Sequence, residues 1–90
     1  MIRDDLTQIL GEELRFLAIK TRERLNLTQK EMSEKLHMSE SSYSDIETGR
    51  NNCGTLTAVL LLSIQENPTH FLNSLNEEFQ KWYDGEMVLI

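Results

Sequence analysis

The sequence predicts a small all-α domain of five helices, and three observations lead there. Apolar residues recur at helical spacing along most of the 90 residues. Only Pro68 and four glycines interrupt the chain, and the alternation of a half-buried strand is absent before residue 86. With 39% apolar content, a chain this short suits a single domain, 1–90, that buries only roughly 60% of its unfolded surface. Such a domain packs economically or finds a partner.

The first helix is expected from about Asp5 to Arg24, where Leu10, Leu14, Leu17, Ala18, Thr21 and Leu25 form one stripe. Ile9, Phe16 and Ile19 lie off that stripe, which implies a helix covered on two sides. Thr28 opens a second helix, about 28–36: in "TQKE" the Thr28 hydroxyl can meet the Glu31 N–H while the Glu31 side chain reaches back, a capping box. Met32 and Leu36 then point inward and His37 occupies the turn. Ser39 caps a third helix, about 39–48, with Tyr43 and Ile46 inside and Gly49 as its left-handed stop. The link between them is about three residues long, the length of a helix-turn-helix corner.

After the polar loop "RNNCG", Thr55 reads as the cap of a fourth helix, "LTAVLLLSIQE". That helix is apolar nearly all round and is expected to be buried on most sides. Asn67 and Pro68 read as the cap and first residue of a fifth, about 68–83. Leu72, Leu75, Phe79 and Trp82 follow in it at a 3, 4, 3 spacing, a seam for a neighbouring helix in this chain or in a second copy. Asp84 and Gly85 are expected to break the fifth helix, leaving a short apolar tail, 84–90, that docks on its own core or on another subunit.

Charge and composition exclude several functions. The formal charge of −6 argues against a nonspecific nucleic-acid coat, because Lys and Arg on phosphates supply most of such binding. Its distribution is uneven: residues 1–14 carry −3 and residues 51–90 carry −4, whereas residues 15–50 hold seven bases against six acids, +1. Cys53 is the only cysteine, so no intrachain disulfide or zinc-type cysteine pair is possible, which suits a reducing, cytoplasmic setting. The sequence carries no secretory-signal pattern and nothing near the ~20 apolar residues that span a bilayer. An enzyme is the least favoured class: His37 and His70 lack a nucleophile or metal-ligand partner, and no Gly-rich phosphate loop occurs. No cofactor or metal is implied.

Residues 14–66 resemble the helix-turn-helix domain of the Cro and phage-repressor family, the XRE type with a lambda-repressor-like fold. The resemblance rests on Arg22 near the end of helix 1, "LTQKEM" opening helix 2, "MSESSYSDIETG" forming turn and helix 3, and a polar loop leading to an apolar helix 4. It implies a sequence-specific DNA-binding transcriptional regulator, expected to be a repressor, that lays helix 3 in the major groove as a homodimer on a palindromic operator. Arg22 and Glu47 match a structural ion pair. Ser39, Glu40, Ser41, Ser44 and Asp45 match base-reading positions. Thr28, Gln29, Lys30, Ser42, Thr48, Arg50, Asn51 and Asn52 match positions near phosphates.

The sequence departs from the pattern in three places. His37 stands where the turn usually has Gly, Cys53 where Pro is common, and the acids Glu40 and Asp45 where Gln, Arg, Lys or small polar residues are usual. A carboxylate is repelled by phosphate, yet it can accept from the cytosine N4 amine. Two further readings therefore stand beside the regulator: a protein-interaction module on the same scaffold with weak or lost DNA binding, and an antitoxin-like protein that also grips a toxin.

Overall fold

The structure is a computed structural model, described here for residues 2–89, with side chains described for residues 4–84. Its elements are α1 (Ile2–Arg24), α2 (Gln29–Lys35), α3 (Glu40–Glu47), α4 (Thr55–Ser63) and α5 (Pro68–Leu89), with no strand among the described residues. α2 packs on α3, and α1 packs on both α3 and α5.

The core follows from the spacing of apolar residues. Leu14 and Ala18 of α1, Met32 and Leu36 around α2, Tyr43 of α3, Leu61 of α4 and Phe71 and Leu75 of α5 form one buried cluster. Met32, Tyr43 and Leu61 are fully buried, each worth roughly 1.5–3 kcal/mol relative to exposure. Thr21 and Ser33 are buried as well, and both are satisfied. Gln65 Nε2 donates to Thr21 Oγ1 at 2.9 Å, and Ser33 Oγ donates to the Lys30 carbonyl at 2.6 Å. No buried side-chain polar atom among the described residues lacks a partner.

The helix starts are capped as local chemistry dictates. Thr28 Oγ1 accepts from the Glu31 N–H at 3.1 Å while the Thr28 N–H donates to Glu31 Oε1 at 2.9 Å. Ser39 Oγ accepts from the Ser42 N–H at 3.1 Å, and Asn67 Oδ1 from the His70 N–H at 3.3 Å. Three helices end in one shared device. Asn26 and His37, both at φ 56°, and Gly49 at φ 80° take the left-handed conformation just past α1, α2 and α3. At each end the next residue's N–H reaches back: Leu27 to Arg22 O, Met38 to Ser33 O and Arg50 to Asp45 O, at 2.9–3.0 Å. This is the Schellman closure, and Leu27 and Met38 complete it by packing on the core.

Several expectations need correction. α1 begins at Ile2 rather than near Asp5. Its second apolar strip is only partly covered: Ile9 packs against the core, while Phe16 remains 46% exposed. Gly54, not Thr55, is the N-cap of α4. α4 is also far from buried on most sides, since Leu61 alone is fully enclosed and Leu56 and Val59 are 70% and 59% exposed. A short chain has too few other elements to cover four sides of one helix. In α5 the inner face is Phe71, Leu75, Phe79 and Trp82, with Leu72 turned out at 50% exposure. α5 runs through Asp84 and Gly85 to Leu89, because one Gly in a helix costs only about 1 kcal/mol. Where the side chains of the apolar tail dock lies outside the described residues.

Candidate functional site

The polar contacts that hold α3 centre on Glu47, its last residue. Arg22 grips the carboxylate with two parallel bonds, Nε to Oε2 at 2.6 Å and Nη2 to Oε1 at 3.1 Å. Gln29 Nε2 adds a third at 3.1 Å, and Arg22 Nη1 also donates to the Leu27 carbonyl at 3.3 Å. The Glu47 side chain is only 7% exposed and that of Arg22 23%. One carboxylate thus joins α1, α2 and α3, and Arg22 ties the turn after α1 to the same group.

Burial alone would raise the Glu47 carboxyl, but hydrogen bonds from Arg22, Tyr43 and Gln29 and the Arg22 charge outweigh it and hold the group below the usual carboxylate value. The hydrogen bond to Glu47 likewise raises Arg22 above its ordinary value. Burial pushes the Tyr43 phenol well up, so it stays neutral, within 3.4 Å of the Ala18 carbonyl.

A second grip, not anticipated from the sequence, comes from Arg15. Its Nη1 donates to the Glu47 backbone carbonyl at 3.1 Å, supplying one of the carbonyls left open at the C-terminus of α3. The guanidinium also lies 4.6 Å from the Phe16 ring centroid, a cation–π distance. Arg15 and Arg22 are seven residues apart, about two helical turns, so they share one face of α1. That spacing was the available signal. Both cations also complement the negative end of the α3 dipole.

The same face carries Gly11, four residues before Arg15. A Cβ built there would lie 2.8 Å from Asn52 Oδ1, so the missing side chain lets the loop after α3 close onto α1. Between that loop and the N-terminal half of α1 is an open polar cleft of about 430 Å³, lined in part by Asp4, Glu12, Arg15, Thr48, Asn51 and Asn52. It brings two acids beside three residues expected near phosphates.

With its inner face fixed by Tyr43, Ile46 and Glu47, α3 turns a polar face outward. Ser39, Glu40, Ser41 and Ser42 are exposed, and Ser44 and Asp45 are half-buried. Ser39 and Ser42 are joined, Oγ to Oγ, at 2.8 Å. Glu40 stands in the first turn of α3, where its charge favours the helix dipole. The two acids of this face differ in setting. Asp45 bends toward the following loop, accepting from Asn51 Nδ2 at 3.4 Å and lying 3.9 Å from Arg50 Nη1. Thr28, Lys30, Arg50, Asn51 and Asn52 are exposed on the elements flanking α3, whereas Gln29 is half-buried against Glu47. Cys53 is half-buried and packs on the core, and burial raises its thiol above the ordinary value.

Among the described residues no group of His, Cys, Asp or Glu could hold a metal ion, and no helix is long and apolar enough to cross a membrane. No curated protein and no solved structure matches the chain. A family model described as helix-turn-helix matches residues 19–64, which hold both Arg22 and Glu47, the α2–α3 corner and α4. The chain belongs to the Cro and phage-repressor type of helix-turn-helix family, whose members are DNA-binding regulators.

Proposed function

We propose that the chain is a sequence-specific transcriptional repressor that lays α3 in the major groove as a homodimer and acts by occupying a palindromic operator. The observation that carries this reading is the contrast between the two faces of α3. Its inner face is tied to α1 and α2 through Glu47, while its outer face is polar and open. A rigid helix with free hydrogen-bonding groups is what base reading requires.

In this reading Ser39, Glu40, Ser41 and Ser44 meet base edges, with Glu40 accepting from a cytosine N4 amine. Asp45 shares that face. Thr28, Gln29, Lys30 and Ser42 approach one stretch of backbone, and Thr48, Arg50, Asn51 and Asn52 the other. Only Lys30 and Arg50 among these carry positive charge, so each subunit releases few counterions and log K falls with log salt at a slope of about −2 per subunit. Such a protein binds DNA weakly unless the sequence is right, and two half-sites about one helical turn apart supply the remaining affinity.

The test is selection of duplexes from a random library by the purified chain, followed by salt titration. Enrichment of a two-fold symmetric site, with Glu40→Ala relaxing the preference at defined cytosines, supports the reading. Enrichment with unchanged preference in Glu40→Ala assigns Glu40 to helix stabilisation alone. The net charge of −6 and the acids lining the cleft favour a second reading, a protein-interaction module with a toxin-like partner. Failure to enrich any DNA at low salt, with capture of a defined protein from the same cells, decides for it.

A further inference from the structure

The cleft between the N-terminal half of α1 and the loop after α3 carries charges of both signs with bonding capacity to spare. Asp4, Gln8, Gly11 and Arg15 follow one another at a 4, 3, 4 spacing, so they share one face of α1, with Glu12 beside them. Among the described residues no cation pairs with Asp4 or Glu12. Glu12 and Arg15 stand three apart, a spacing at which opposite charges on a helix commonly close on each other. Here they do not, because Arg15 is drawn across to the Glu47 carbonyl. That bond uses one of the five guanidinium N–H groups, and Arg15 still lines the cleft.

We propose that this cleft binds a small zwitterion with one further cationic group, a free basic α-amino acid, and that the bound molecule tightens the grip on DNA. The site itself stands on the cleft; only the effect on DNA rests on the regulator reading above.

Charge and length together select this ligand. The lining holds two acids and one base, Asp4, Glu12 and Arg15, and a molecule with two cationic groups and one carboxylate is its complement. The α-carboxylate meets Arg15, and the α-ammonium on the same carbon meets Glu12, about 4.5 Å along the helix. Asp4 lies eight residues, about 12 Å, from Glu12. A side chain of four methylenes carries its terminal ammonium roughly 6 Å from the α-carbon, and the two carboxylate side chains span the remainder. Thr48, Asn51 and Asn52 on the facing wall add hydroxyl and amide groups. A simple anion is repelled by both acids, and an apolar molecule meets a mostly polar wall. The volume of about 430 Å³ suits a small molecule, but the cleft is open and Asp4 and Glu12 are exposed, so the affinity is modest, roughly millimolar.

Position gives the ligand its effect. The facing wall is the loop that approaches phosphates in the regulator reading, and two unpaired carboxylates beside it repel them. A bound cation offsets both and ties the loop to α1.

The probe is L-lysine, titrated into the full chain and followed by backbone amide chemical shifts at fixed pH and ionic strength. Two analogues each delete one charge: norleucine lacks the side-chain ammonium and Nα-acetyl-lysine the α-ammonium. Circular dichroism first establishes that wild type, Asp4→Asn, Glu12→Gln and Glu77→Gln, an exposed control acid on α5, are equally folded. L-Lysine is expected to saturate wild type and Glu77→Gln alike, shifting residues 7–15 and 48–52, and to bind Asp4→Asn and Glu12→Gln about three- to tenfold less tightly. Its advantage over norleucine should vanish in Asp4→Asn, and its advantage over Nα-acetyl-lysine in Glu12→Gln. Absence of saturation, equal binding of all three compounds, or an affinity unchanged in both variants overturns the site.

The second arm measures fluorescence anisotropy on a duplex from the selection. Saturating L-lysine, against an equal ionic strength of KCl, is expected to tighten wild-type binding about fivefold and to leave Asp4→Asn/Glu12→Gln unchanged. L-Lysine that binds without altering DNA affinity overturns the effect on DNA and leaves the site standing. If selection enriches no duplex, the regulator reading fails and the titration decides the site by itself.

Discussion

Replacing Arg22 with Met removes the charge that faces Glu47 while keeping most of the aliphatic stem in place. The Glu47 side chain is 7% exposed, so the substitution strands a nearly buried carboxylate with Gln29 and the Tyr43 hydroxyl as its remaining neutral partners. Stranding a buried charge costs about 3–5 kcal/mol. In a domain of this size that lowers Tm by roughly 12–40 °C, since about 1 kcal/mol corresponds to 4–8 °C. Glu47→Gln is the milder change, because the amide oxygen still accepts from Arg22 and only part of the charge-assisted bonding is lost, about 1–3 kcal/mol.

The pH dependence separates the two mechanisms. In the wild type the Glu47 carboxyl is held low, so its contribution is present above the unfolded value and is lost as pH falls through the folded value. In Arg22→Met the dominant surviving influence is burial, which raises the carboxyl. Its sign therefore inverts: stability is best below the unfolded value and falls as pH rises through the raised one. Urea melts of both variants between pH 4 and neutrality, set against wild type, read both effects. An Arg22→Met protein that loses less than Glu47→Gln, or keeps the wild-type pH slope, refutes the view that Glu47 is the charged hub of the fold.

Three other outcomes follow from the geometry. Gly11→Ala gains roughly 0.5–1 kcal/mol of helix stability but pushes Asn52 from a 2.8 Å approach, so thermal stability should hold or rise while DNA affinity drops; loss of both would place the role of Gly11 in folding. Asp45→Asn releases Arg50 and Asn51, and fluorescence anisotropy across a salt series should show tighter binding and a slope steeper by up to about 0.9 per subunit; a changed preference at one cytosine with no change of slope would instead make Asp45 a base reader. The left-handed positions make an opposed pair: Gly49→Ala should cost about 1–2 kcal/mol and His37→Gly should be neutral or stabilising by up to about 1 kcal/mol, and equal signs in urea melts would discount backbone strain as the cause.

Features set by neighbours in sequence were legible before any fold was known. The Thr28 capping box, the Ser39 and Asn67 caps, the Gly49 stop and the inward pair Tyr43 and Ile46 each depend on residues within one or two helical turns. The Arg22 and Glu47 match came from resemblance, because the two are 25 residues apart and no local rule joins them. Contacts that depend on how helices are set against each other were decided only by the tertiary structure. Arg15 on the α3 carbonyl, Gly11 under Asn52, and Asp45 turned to Arg50 and Asn51 are of this kind. The same holds for the outward rotation of Leu72 and the open face of α4, where periodicity marks a helix as apolar but not what covers it. Burial is a property of the whole assembly of elements, and in 90 residues the supply of covering surface ran out at Leu56 and Val59. Local sequence set the five helices, most of their caps and one face of each, because those depend on residues within a turn or two; how the helices pack set which other faces stayed open, the polar face of α3 and the Leu56 and Val59 face of α4 among them.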